Sequence, residues 1–186
     1  MLKLALVNLS LSKLKEECKK RIVYTFQGEA GLVLKYIAFR LHEFDSYFAP
    51  NLYSFRVNRG VKRAVADILA VPDLSKQYVY KLDIHDYFNS VDVERIIPML
   101  GNLLGNEQPV LYAFLCDFLR NPYVTENGNV LEERKGIMAG NPLSSFMANL
   151  YLADMDRAFA ERGIVYARYS DDIVVMAGTE EKLCEY

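Results

Sequence analysis

Apolar and polar positions follow one another along this chain in two rhythms, a period of three to four residues and a period near two, and the switches between them mark out its elements. The first twenty residues, MLKLALVNLSLSKLKEECKK, read as an amphipathic helix that closes on the basic cluster Lys19-Lys20-Arg21. Arg21 to Phe26 (RIVYTF) is β-branched and aromatic and predicts a strand. From Glu29 to Phe48, apolar residues at three- and four-residue spacing (Leu34, Ile37, Ala38, Leu41, Phe44, Phe48) predict a helix, which Pro50-Asn51 ends. Val61 to Leu69 gives a further short helix. Tyr78 to Asp83 (YVYKLD) reads as a buried strand with a carboxylate at its end. Val93 to Leu104 and Pro109 to Leu119 predict helices, and Tyr123 to Lys135 predicts a hairpin around the strong turn signal Asn127-Gly128. Pro142 to Arg162 is again helical in pattern, with Asn141 suited to the N-cap and Pro142 to the first helical position. Two last apolar runs, Ile164 to Tyr169 and Ile173 to Met176, flank Ser170-Asp171-Asp172 and predict a second hairpin with acids in its turn. Helices interleaved with mostly antiparallel strands place the chain in the α+β class.

Composition narrows the picture. Of 186 residues, 52% are apolar, enough for a sizeable core, so disorder is excluded. Thirteen Tyr and ten Phe stand against no Trp. The formal net charge is -2 and the pI about 5.8. That balance lacks the basic footprint of most nucleic-acid-binding surfaces. The cysteines Cys18, Cys116 and Cys184 form neither a CxxC pair nor a zinc spacing, as expected of free thiols in a reducing cytoplasm. No uninterrupted apolar stretch opens the chain, so a cytoplasmic protein with no membrane partner is expected.

Two places carry carboxylates where strand physics disfavours them. Asp83 ends an apolar strand, and Asp171-Asp172 interrupt two β-branched runs. Adjacent like charges repel, and partial burial adds a cost that a cation can offset. Carboxylates at strand ends suit Mg²⁺, a hard cation that takes oxygen ligands and keeps several waters. Taken singly, each has a plainer reading. An Asp-Asp pair in a hairpin turn is most often a solvated turn, and an Asp after a strand often caps a helix.

The order of the motifs changes the weighting. YKLDIHDYFNSV (Tyr80 to Val91) resembles polymerase motif A of the bacterial reverse transcriptases of group II intron, retron and phage-defence type. GIMAGNPLSSFMANLYL (Gly136 to Leu152) resembles their motif B, and ARYSDDIVV (Ala167 to Val175) their motif C. NLYSFRVNRG (Asn51 to Gly60) is similar to the fingers motif ahead of motif A, and KKRIVYTF (Lys19 to Phe26) to the basic fingers strand. The resemblance implies a right-hand polymerase with fingers over residues 1–75 and palm over 76–186. Fingers elements would return around 105–140, and an antiparallel palm sheet would be flanked by helices. It implies RNA-directed DNA synthesis from dNTPs on an RNA template with a DNA primer or RNA/DNA hybrid, with two Mg²⁺ ions for which Mn²⁺ can substitute.

Residue by residue, the resemblance implies that Asp83 and Asp171 bridge both metals, Asp172 supports them, and the Ile84 carbonyl adds a ligand. Phe88 falls at the steric-gate position, where its ring would exclude a ribose 2′-hydroxyl, the one group that separates the two sugars. Gly140 would let backbone approach the base pair, and Tyr169 would lie near the primer end. Arg21 matches the arginine that grips the triphosphate, and a guanidinium fork suits that task. Arg56 and Arg59 would hold template backbone or cap the next helix, while Tyr53 and Phe55 are expected to pack rather than stack on bases.

The pattern departs in two respects. Where the family commonly has Pro-Gln before the motif B glycine, this chain has Met138-Ala139, so a side-chain contact to the incoming sugar at Ala139 is missing. The chain also stops at Tyr186, ahead of the family's next palm motif and thumb, so the thumb is expected to be absent and the piece on its own could be inert. Three competing readings follow. An RNA-dependent RNA polymerase would carry Gly-Asp-Asp and a small polar residue in place of Phe88. A template-independent or protein-primed DNA polymerase of a phage-defence system would tolerate Ala139. The third is a non-catalytic nucleic-acid-binding fragment. Nothing in the sequence fixes the oligomeric state.

Overall fold

In the computed structural model, which describes residues 7–10, 23–26, 28–120, 123–124, 130–131 and 136–186, strands and helices alternate along the chain as an α+β protein. In chain order they are β1 (Val7–Ser10), β2 (Val23–Phe26), α1 (Gly28–Leu41), α2 (Val61–Leu69), β3 (Tyr78–Asp83), α3 (Tyr87–Ser90), α4 (Val93–Leu104), α5 (Pro109–Arg120), β4 (Tyr123–Val124), β5 (Val130–Leu131), α6 (Ser144–Tyr151), α7 (Ala153–Glu161), β6 (Val165–Tyr169), β7 (Asp172–Ala177) and α8 (Glu180–Cys184). Short 3-10 turns follow α1 (His42–Tyr47) and precede β3 (Leu74–Lys76). Arg21, Cys18 and the Asn127-Gly128 turn lie outside the described residues. Among those described, no helix is long and apolar enough to cross a membrane.

The chain divides into two interleaved units, one built from Met1–Arg40 and Phe88–Met147, the other from Leu41–Tyr87 and Ala148–Tyr186. In the first unit, β1 pairs antiparallel with β2 from Val7 opposite Phe26 to Ser10 opposite Val23. That pairing corrects the helix expected over the first twenty residues, at Val7–Ser10 at least, because a partner strand distant in sequence overrides local helical spacing. The hairpin expected over Tyr123 to Lys135 is present as the short antiparallel β4–β5 pair, Tyr123 opposite Leu131 and Val124 opposite Val130, one residue off the register that a two-residue turn at Asn127-Gly128 would set. Helices α4 and α5 bury Ile96, Leu100 and Leu104 with Leu115, Phe118 and Leu119, and the Phe118 ring lies 5.6 Å from Phe26.

The second unit holds a three-stranded antiparallel sheet in the order β3-β7-β6. Residues Asn51 to Tyr53 run beside the outer edge of β6: Arg168 N donates to Asn51 O and Tyr53 N to Arg168 O, with a parallel bridge from Leu52 to Arg168. Because side chains alternate across a strand, the register puts Asp83, Lys81, Asp172, Val174, Ala167 and Tyr169 on one face and Tyr166, Arg168, Ile173 and Val175 on the other. Tyr166, Ile173 and Val175 are buried, packed against Ile84, Met155, Phe159, Ile164 and Leu183.

Two expectations are corrected here. All six residues of β3 are exposed. The apolar run predicts a buried strand, yet β3 lies at the edge of the sheet with side chains open on both faces, and Lys81 serves there as the kind of charge that discourages edge-to-edge pairing. The single helix expected over Pro142 to Arg162 is two, α6 and α7, with Leu152 between them. Side-chain donors explain the break. The Tyr87 hydroxyl donates to Ala148 O at 2.6 Å and Arg168 Nη2 to Asn149 O at 3.2 Å, engaging carbonyls that a continuous helix would use in its own ladder.

Candidate active site

The strand register brings the predicted carboxylates together. Asp83, the last residue of β3, stands opposite Asp172, the first of β7, and Ile84 N donates to Asp171 O at 3.1 Å, fastening the end of β3 to the turn. Asp172 thus begins the strand rather than sitting in the turn. Ser170, ahead of it, adopts φ +60. Like charges directly opposite on one sheet face are unfavourable, and the Lys81 ammonium answers them at 2.9 Å from Asp172 Oδ1, with both side chains at least half exposed. The hydrogen bond and charge of Asp172, with Asp83 behind, raise the Lys81 pKa above its ordinary value.

Among the described residues no group of three or more Asp, Glu, His or Cys side chains is placed to hold a metal ion by itself. Mg²⁺ seldom needs one. It is held by one or two carboxylates with waters and substrate phosphates completing the octahedron. An exposed pair of carboxylates on one face, a third in the adjoining turn and an all-oxygen donor set fit such an ion.

Tyr169 is the register partner of Asp172 in β6. It is 38% exposed, and its ring centroid lies 6.4 Å from that of Phe55. Tyr53 is buried as expected, but Phe55 is 40% exposed, at φ +53. That departs from the packing role expected of it: the left-handed turn carries its ring outward. Arg56 donates to the carbonyls of Ala49, Leu52 and Asp45 at 2.7–3.1 Å, and burial lowers its pKa. Its fork is engaged in holding the 45–56 segment together. Arg59 donates to Pro50 O at 2.9 Å and lies over the Tyr53 ring.

In the other unit, the backbone of Phe88 meets the motif B loop. Ile137 N donates to Phe88 O at 2.8 Å, and Gly136, at φ +67, lies so close that a Cβ there would fall 1.7 Å from that oxygen. Asn141 does more than cap. Its Oδ1 accepts from Leu143 N at 2.7 Å and Ser144 N at 3.2 Å, while its Nδ2 donates to Ile137 O and Met138 O. This fastening holds Met138 at φ 56 and Gly140 at φ 98, on either side of Ala139.

Sequence reasoning passed over one further cluster. Arg168 and Asp156, both 0% exposed, pair with two hydrogen bonds: Nε to Oδ1 at 2.8 Å and Nη2 to Oδ2 at 2.6 Å. Tyr166 donates to the same Oδ1 at 2.8 Å. Burial works to lower the Arg168 pKa, but the hydrogen bond and charge of Asp156 outweigh it and hold it above its ordinary value. The signal lay in the alternation: an arginine one residue before an outward tyrosine falls on the core face, where only a buried partner could satisfy it.

Known proteins resemble the chain in sequence and in fold. The chain is 29% identical over 134 residues to the retron Mx65 reverse transcriptase of Myxococcus xanthus, a match covering 67% of this chain and 30% of that protein. Its fold is shared with the apo telomerase of Candida tropicalis truncated from its C-terminal domain (TM-score 0.66, 10% identity, 96% of this chain and 45% of that one). It is shared too with the telomerase of Candida albicans in complex with a fragment of telomeric RNA (TM-score 0.64, 10% identity, 97% and 39%). The chain thus spans less than half the length of each. The sequence pattern of the reverse transcriptases (RNA-dependent DNA polymerases) matches residues 14–186, and the chain belongs to that family.

Proposed function

We propose that this chain carries the catalytic centre of an RNA-directed DNA polymerase, which transfers a nucleotidyl group from a dNTP to the 3′-hydroxyl of a DNA primer on an RNA template. The observation that carries the reading is the register pairing of Asp83 with Asp172, with Asp171 in the adjoining turn. The unit with the three-stranded sheet acts as palm, and the fingers draw on the other.

Asp83, Asp171 and Asp172, with the Ile84 carbonyl, would hold two Mg²⁺ ions. Bound there, the ions would supply charge stabilisation for the primer hydroxyl and the departing pyrophosphate. The chain's own residues otherwise position the reactants, which is most of what nucleotidyl transfer asks of a protein. Tyr169, exposed beside Asp172, supports the primer end. Phe88, with backbone fixed by the motif B loop, excludes the 2′-hydroxyl, and the turn at Gly140 leaves room for the base pair. Arg21 binds the triphosphate, and Arg59 and Arg56 serve the template strand, Arg56 by holding its segment in shape. At Ala139 a methyl stands where the family commonly places an amide, which favours a second reading, DNA synthesis with little template guidance.

The test is primer extension by the protein as its gene encodes it, on an RNA template with dNTPs and Mg²⁺, beside Asp171→Ala. Templated product that vanishes in the variant supports the first reading. Product unrelated to the template supports the second. A folded protein that extends nothing under either condition removes the catalytic claim.

A further inference from the structure

Ser170 is the hinge of the carboxylate turn, and both of its peptide groups are held by buried side chains. On one side Arg168 Nη1 donates to Ser170 O at 3.1 Å. On the other, Ser170 N donates to Ser54 Oγ at 2.9 Å, and Ser54 is itself 0% exposed. Each holder is anchored in turn. Arg168 is bound to Asp156 by two hydrogen bonds and to Asn149 O by a third. Ser54 donates to Asn149 Oδ1 at 3.1 Å, and Asn149 Nδ2 returns a bond to Ser54 O at 2.9 Å. Asn51 Nδ2 donates to Asp156 O at 3.0 Å, closing the ring.

Stability alone is a poor account of this cluster. A buried ion pair recovers little beyond its own desolvation, and well-packed apolar residues of similar volume often serve a fold as well or better. What an apolar pair could not do is hold a left-handed serine, at φ +60, in a conformation that residues with a Cβ adopt rarely. The two residues after that serine, half-buried Asp171 and exposed Asp172, are the carboxylates of the site.

From this geometry we propose that Arg168, paired with Asp156, and Ser54 are positioning residues that set the Ser170-Asp171-Asp172 turn for divalent metal. The proposal rests on the catalytic-centre reading above. Neither residue touches metal or substrate. They act by fixing the backbone from which Asp171 and Asp172 project, as outer partners of a metal site fix its ligands, and loss of such partners commonly costs about 10- to 100-fold in metal affinity or activity.

The test compares Ser54→Ala, Arg168→Lys and Tyr166→Phe in the protein as its gene encodes it, with Asp171→Ala as the control for binding at the carboxylates. Mn²⁺ affinity is read by electron paramagnetic resonance, alongside the melting temperature. Tyr166→Phe takes one hydrogen bond from Asp156 without touching the turn, so it lowers the melting temperature and leaves Mn²⁺ affinity within about twofold of wild type. Ser54→Ala, which releases Ser170 N, weakens Mn²⁺ about tenfold or more for no larger loss of melting temperature. Arg168→Lys weakens Mn²⁺ likewise, because one ammonium cannot reproduce the planar fork. Wild-type Mn²⁺ affinity in folded Ser54→Ala, while Asp171→Ala loses binding, overturns the positioning role and leaves the metal site standing. Affinities that simply track melting temperature across all variants overturn it as well. If wild type and Asp171→Ala bind Mn²⁺ alike, the catalytic-centre reading fails first.

Discussion

Gly136→Ala offers the sharpest perturbation of the motif B loop. A methyl there would fall 1.7 Å from Phe88 O and 2.5 Å from Asn89 Cα. Both are backbone atoms, which cannot swing aside as the end of a side chain would. The residue also sits at φ +67, so alanine incurs about 1–2 kcal/mol of left-handed strain before any clash is relieved. Relief requires the two backbones to part, which breaks the 2.8 Å bond from Ile137 N to Phe88 O. Ile137 is 0% exposed, and a buried group left unpaired costs about 1–3 kcal/mol. Together these suggest a loss of roughly 2–5 kcal/mol, a large share of the ~5–15 kcal/mol typical of a whole domain. For a chain of this length, ~1 kcal/mol corresponds to about 2–4 °C, so the melting temperature should fall by about 4 °C at the least. Urea denaturation and thermal melts of wild type and variant measure this directly. Because the same contact fixes the backbone at Phe88, any Gly136→Ala protein that still folds should also discriminate less between dNTP and rNTP. A melting temperature within a degree of wild type would refute the close crossing of these two backbones.

Lys81→Met removes the cation now bonded to Asp172. Half-saturation for Mg²⁺ or Mn²⁺ should fall a few-fold, with the gain shrinking in high salt as expected for an exposed pair; weaker metal binding in the variant would show that Lys81 assists the metal rather than competing with it. Alkaline stability should depend on Tyr53, whose hydroxyl is raised to about 12 by burial and by the hydrogen bond and charge of Asp67. A raised folded pKa means the unfolded chain gives up its proton first, so this contribution is whole below pH 10 and is lost between pH 10 and about 12. Tyr53→Phe should flatten the decline of melting temperature over that range, and an unchanged slope would count against the burial of this hydroxyl. Tyr87 and Tyr166, also raised by burial, act in the same direction in both proteins and do not mask the difference.

Much of the fold was legible because local chemistry and tertiary packing agree. Val61–Leu69, Tyr78–Asp83 and Val93–Leu104 begin and end where their spacing and flanking residues put them. Asn141 caps as its side chain predicts. The acid turn was legible for a different reason. Two carboxylates between β-branched runs oppose the strand they interrupt, and such a conflict between local preference and fold is most often found at a functional site. What the sequence concealed depends on partners remote in the chain. Val7–Ser10 is a strand because Val23–Phe26 lies beside it. β3 is exposed along its whole length, and its residues read the same whether a neighbour covers them or not.

Arg168 and Tyr169 show the limit most clearly. They are adjacent in a motif whose attention falls on the tyrosine and the aspartates after it. The strand turns them to opposite faces: Tyr169 beside Asp172 in the open, Arg168 into the core against Asp156, twelve residues back on α7. Period-2 alternation was enough to place a charge on the buried face, and a buried charge demands a partner. Which carboxylate answered was not decidable from spacing. Asp154 and Asp156 both lie in the first turn of α7, and only the helix's rotation against the sheet buries one and leaves the other in solvent. The same rotation delivers Arg168's third nitrogen to Ser170 O. The outward motif therefore takes its shape from an inward residue that belongs to the same five-residue strand.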